Sequence, residues 1–131
     1  MAVSYILITQ NAPLVKNGVQ EEVTYARTVS NHKATTEELA QNISRRCTVN
    51  PVDVVAVLYA LGDELKTRIS HGEIVELNGI GTFRVSGGTG TLDNPQKVRS
   101  SDFIRRKINF HPDGSLKTSL STLSFIRKKT D

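Results

Sequence analysis

The chain has 131 residues, of which 37% are hydrophobic and 23% charged, and its net charge is +4. That is enough for one domain with its own core, and no apolar run reaches the roughly 18 residues that a bilayer helix needs. The single cysteine, Cys47, excludes an internal disulfide and fits a reducing cytoplasm.

The opening MAVSYILITQ has neither a basic n-region nor a cleavage site, so no signal peptide is expected. Charge is unevenly placed: residues 35–83 carry net −3 and residues 84–109 net +4. A polyanion would meet the last third of the chain, although solvated cations on a strand edge would give the same count.

Tyr5-Ile6-Leu7-Ile8 and Val23–Val29 read as two strands of a β-hairpin, the second with strict alternation of Val23, Tyr25, Arg27 and Val29 against Thr24, Ala26 and Thr28. Between them, Asn11-Ala12-Pro13 to Asn17-Gly18 has loop chemistry. Thr35-Thr36-Glu37-Glu38 fits a capping box that opens a helix, whose stripe Leu39, Ile43, Cys47 predicts a packed thiol. A second helix starts at Asn50-Pro51 and runs to about Ser70 before Gly72, a cap and length that outweigh the strand-like run Val54–Leu58.

Between Val52 and Leu61 every residue except Asp53 is apolar. A helix apolar on nearly all sides must be covered on nearly all sides. Either a second copy supplies the cover, making an interlocked homodimer, or the N-terminal hairpin does.

Val75, Leu77, Phe83 and Val85 then share one face of a strand pair bent at Gly79 and Gly81. Residues 86–101 are polar and glycine-rich, with a turn at Asn94-Pro95, and a strand is predicted over Phe103–Phe110. His111-Pro112-Asp113-Gly114 breaks the chain; Leu116, Leu120 and Leu123 give a short helical stripe, and Phe125-Ile126 a last strand before Arg127-Lys128-Lys129.

The chemistry of a catalyst is missing from this pattern. Gly79-Ile80-Gly81 has Arg84 where a dinucleotide fingerprint needs its third glycine, and Gly87-Gly88-Thr89-Gly90 is not followed by Gly-Lys-Ser/Thr. His32, His71 and His111 lack metal-ligand spacing, and no serine sits in a G-x-S-x-G elbow. The expectation is a non-enzyme with no cofactor, no metal and no small-molecule substrate.

Residues 35–85 resemble the body of the HU/IHF family of bacterial histone-like DNA-binding proteins. The family's V-x-L-x-G-F-G-x-F stands here as Val75-Glu76-Leu77-Asn78-Gly79-Ile80-Gly81-Thr82-Phe83, with Ile80 for the usual aromatic. Residues 107–121 resemble the returning strand and terminal helix, and residues 1–34 with the tail resemble the extensions of a longer HU-related subgroup. The resemblance implies an α+β, IHF-like fold: a helical base on a small antiparallel sheet with a β-arm or arm-derived loop, plus an N-terminal β-hairpin. It implies a hairpin extension over 1–34 and an HU-like DNA-binding domain over 35–131, one compact domain overall. It also implies a homodimer on double-stranded DNA in the cytoplasmic nucleoid, away from any membrane, bending the duplex with little sequence preference.

The DNA-binding residues it suggests are Arg84, Pro95, Lys97, Arg99, Arg105, Arg106 and Lys107. The family's tip proline, which wedges between base pairs, corresponds to Pro95, though a turn proline fits as well. Ser86–Asp93 contains no base, so residues 86–102 are either an arm charged on its returning side or a loop with a short helix near Ser100-Ser101-Asp102. The alternative function is an HU-like body reused for protein assembly or as a structural module.

Overall fold

The computed structural model describes residues 2–11, 18 and 21–129; the loop expected over Ala12–Asn17 lies outside them. By their contacts the residues form two units, one of Thr35–Leu120, the other of Met1–Ala34 with Ser121–Asp131.

The larger unit begins at Thr35, whose Oγ1 accepts the Glu38 N–H at 3.3 Å and so caps α1 (Thr36–Ser44). Ala40 is its fully buried residue. Cys47, expected as a packed thiol on the α1 stripe, is exposed. The helix stops at Ser44, three residues earlier than the stripe assumed, and the thiol lies beyond it, donating to the Ile43 carbonyl at 3.2 Å.

Asn50 Oδ1 accepts the Asp53 N–H at 3.0 Å and, with Pro51 in the first turn, opens α2 (Pro51–Ser70). At its end Gly72, at φ +77°, takes the left-handed turn and donates to the Ile69 carbonyl at 2.9 Å. Hydrogen bonding to Glu64 at 2.8 Å, and the nearby charge of Glu73, raise the Arg68 pKa in the last turn. Val54, Val55, Leu58, Leu61, Leu65 and Ile69 form the covered stripe, with Val54 only 7% exposed. The other side of the helix is bare: Val52, Val57 and Tyr59 are 76%, 64% and 62% exposed.

An antiparallel sheet of order β3-β4-β5 follows, from β3 (Val75–Leu77), β4 (Gly81–Gly88) and β5 (Arg105–Pro112). Its apolar face carries Val75, Phe83, Val85, Ile108 and Phe110, with the Phe83 and Phe110 rings 4.9 Å apart. This face meets Leu65 and Ile69 of α2. The third strand starts two residues later than predicted, because Phe103 and Ile104 N–H groups turn back to Ser100 and Asp102 carbonyls. It also runs on through His111-Pro112, where a break was expected. Proline is tolerated there because it closes the ladder, opposite Gly81. The unit ends in α3 (Gly114–Thr118), a single turn of helix whose Leu116 is exposed.

The smaller unit is a three-stranded sheet of order β2-β1-β6, from β1 (Ala2–Asn11), β2 (Glu22–Val29) and β6 (Ser124–Arg127). The hairpin pairs antiparallel, Ser4 opposite Val29 through Asn11 opposite Glu22, and the tail adds in parallel, Ala2 with Ser124 through Tyr5 with Arg127. The tail's backbone adds to the hydrogen bonding of β1, with the Lys128 N–H on the Tyr5 carbonyl at 2.8 Å. No helix of the described residues is long and apolar enough to cross a membrane.

Candidate nucleic-acid interface

The ribbon of β4 and β5 sorts the predicted cations by strand alternation. Cross-strand partners share a face, so Arg84 opposite Asn109, Ser86 opposite Lys107 and Gly88 opposite Arg105 make one polar strip. Arg84, Lys107 and Arg105 therefore line up on the side away from α2. Asn109 Nδ2 donates to Ser86 Oγ at 2.9 Å and ties the strip together. Sequence reading missed this pair, because only the register brings residues 86 and 109 together. Among the described residues no carboxylate is within ion-pair distance of Arg84, Arg105 or Lys107.

The residues opposite Lys107 and Arg105 are small: Ser86 and Gly88 leave that end of the strip open, and the Arg105 guanidinium lies 3.4 Å from where a Cβ on Gly88 would stand. Its Nη2 donates to the Thr89 carbonyl at 2.6 Å. The absence of bases from Ser86 to Gly88 on the ascending strand thus coincides with room for a large anion beside the returning one.

Arg106 points the other way, onto the apolar face beside Val85 and Ile108. Its Nε donates to the Phe103 carbonyl at 2.8 Å and its Nη2 to the Ser100 carbonyl at 3.0 Å. The ribbon pairing ends at Gly88 and Arg105, and residues 89–104 form a loop rather than a longer two-stranded arm. A single 3-10 turn at Ser100–Asp102 shapes the descending part, with the Asp102 carboxylate accepting the Arg99 N–H at 2.8 Å.

Pro95 occupies the second position of a turn closed by the Lys97 N–H on the Asn94 carbonyl at 3.1 Å, with Asn94 Oδ1 accepting the Gln96 N–H at 3.2 Å. Lys97 and Arg99 share a shallow hollow with Asp93 and Asp102, so their charge is locally offset. The seven suggested residues therefore fall into three groups: an open strip of Arg84, Arg105 and Lys107; a loop hollow holding Lys97 and Arg99 near the Pro95 turn; and Arg106 bound to backbone. Among the described residues no cluster of three or more His, Cys, Asp or Glu could hold a metal ion.

A family model described as "HU domain fused to wHTH, Ig, or Glycine-rich motif" (HU-HIG) matches residues 1–127. Among solved structures, the Anabaena HU–DNA cocrystal aligns at a TM-score of 0.49 and 21% identity, covering 66% of this chain and 97% of that one. A candidate bacterial DNA-binding protein from Bacteroides vulgatus aligns at a TM-score of 0.64 and 8% identity over 99% of this chain. This chain spans about half of that protein's length, 50%, and the likeness is one of fold. No relative was found among curated protein sequences. With the family model spanning both the hairpin sheet and the two-helix body, the chain belongs to the HU-HIG family of HU-domain proteins.

Proposed function

We propose that this chain is a non-enzymatic, largely sequence-nonspecific DNA-binding protein of the nucleoid-associated, DNA-bending type, acting as a homodimer in the cytoplasm. The observation that carries the reading is the open cationic strip of Arg84, Lys107 and Arg105 on an HU-family body. Side chains of this kind, with no carboxylate partner among the described residues, neutralise phosphates through charge-assisted hydrogen bonds and read no base edge. Lys97 and Arg99 would add to the strip once a duplex outcompetes Asp93 and Asp102, and Pro95 would shape the turn that presents them. Arg106 would support the loop from behind.

The dimer rests on α2. Val52, Val57 and Tyr59 lie open to solvent on a helix whose opposite stripe is already covered. A second copy is the cover we propose, since burying an aliphatic or aromatic side chain stabilises by about 1.5–3 kcal/mol. Two strips per dimer then give six cations.

Binding to random-sequence duplex should weaken with salt on a log–log slope of about −5, from about 0.9 per neutralised phosphate. Lys107→Ala, present twice in the dimer, should flatten that slope by about 2. A fluorescence-anisotropy titration over a salt series measures both. No binding at low salt, or a slope near zero, would remove the reading. The second reading, an HU-like body reused for protein assembly, is favoured by the base-free Ser86–Asp93 segment, and it predicts no response to Lys107→Ala.

A further inference from the structure

Among the described residues the small sheet has two outer strands of opposite character. In the strand order β2-β1-β6 both outer strands are edges, and every residue of β6 and all but Val29 of β2 is exposed. Both faces carry apolar side chains: Leu7 and Phe125 on one, Val23, Tyr25 and Ile126 on the other, each 40–55% exposed. The acids Glu21 and Glu22 stand at the start of β2, and the bases Arg127, Lys128 and Lys129 at the end of β6. Edge strands with outward N–H and C=O groups and no proline are templates for another chain.

Direction and register both match the two edges to each other. An antiparallel approach of one copy's β6 to another's β2 brings the end of the first beside the start of the second, so three bases meet two acids. Because β2 is antiparallel and β6 parallel to β1, the incoming copy keeps the orientation of the first, and the contact repeats head to tail. The register that sets Arg127 opposite Glu22 sets Ile126 opposite Val23 and Phe125 opposite Thr24. In that register the faces agree: Glu22, Thr24, Phe125 and Arg127 share the Leu7 side, whereas Val23 and Ile126 share the other. A slip by one residue would oppose the faces and lose the ion pair together.

We propose that β6 of one copy docks antiparallel on β2 of a second copy, joining chains head to tail through a continuous sheet. The contact is separate from α2 and does not rest on DNA binding.

Sedimentation velocity on the full chain, over a concentration series, should show mass growing beyond the dimer and growing less at high salt. Glu22→Arg and Arg127→Glu should each weaken that growth about tenfold, as an attractive cross-strand pair becomes repulsive, and the double variant should recover to within about twofold of wild type. The register is read directly in a Cys47→Ser background: Val23→Cys mixed with Ile126→Cys should oxidise to a disulfide between chains, and neither variant alone should. Mass that stays at the dimer, a double variant as weak as the singles, or cross-linking of one variant with itself overturns the proposal.

Discussion

At Gly81 the backbone of β4 passes under the Phe110 ring and the His111 carbonyl, and a Cβ there would collide with both. Its φ of +156° also belongs to glycine. Gly81→Ala should therefore lower unfolding free energy by about 3 kcal/mol, combining overpacking with backbone strain, and a urea titration would show a matching fall in midpoint. Gly79, at φ +83° with open space around it, requires glycine for conformation alone. The sequence marked both as a bend but did not separate the roles, since the close approach at Gly81 depends on a strand about thirty residues on. The arginines show the same limit. Arg105, Arg106 and Lys107 are one run of charge in sequence, yet strand alternation sends Arg106 to the side opposite its neighbours, where it binds two carbonyls of its own loop.

Among the elements, α2 was the most legible, because its start is written locally: Asn50 accepts from Asp53, and Pro51 follows directly. The end of α1 was not, because the i, i+4 spacing of Leu39, Ile43 and Cys47 continues past the last helical hydrogen bond. The loop over 89–104 was read only in part. A 3-10 turn stands at Ser100–Asp102 where a short helix was weighed, but the bonds from Arg105 and Arg106 that hold it span up to 16 residues. What α2 requires beyond the protomer can be tested at one position. Leu58 is half covered by its own chain, so a change there would disturb fold and partner alike, whereas Val57 is 64% exposed. In the dimer we propose, Val57→Asp would bury two uncompensated carboxylates, which should weaken dimerisation by about 4 kcal/mol, or roughly a thousandfold. Sedimentation should then show monomer with the helical circular-dichroism signal retained. An unchanged dimer would place the interface elsewhere.

Across the whole molecule the charge is divided between separate surfaces. Residues 84–109 carry net +4, whereas the ends of β2 and β6 hold acids and bases apart on two edges of another unit. If the cationic strip binds phosphates and the edges bind each other, the two activities should come apart under mutation. The double variant of Glu22→Arg and Arg127→Glu is the sharpest probe, because it leaves the net charge of the chain at +4. Its individual components change that charge by two in opposite directions. At physiological ionic strength fields fade over about 8 Å, so charges outside the contact alter affinity weakly and the salt slope hardly at all. Both single variants and the double should therefore keep the wild-type slope near −5 on an isolated short duplex, where only one dimer fits. On long duplex, where neighbouring dimers can touch, the single variants should instead lose cooperativity and the double should regain it. Equal loss of slope on short duplex in Arg127→Glu would mean that the tail itself contacts phosphate, merging the two surfaces into one.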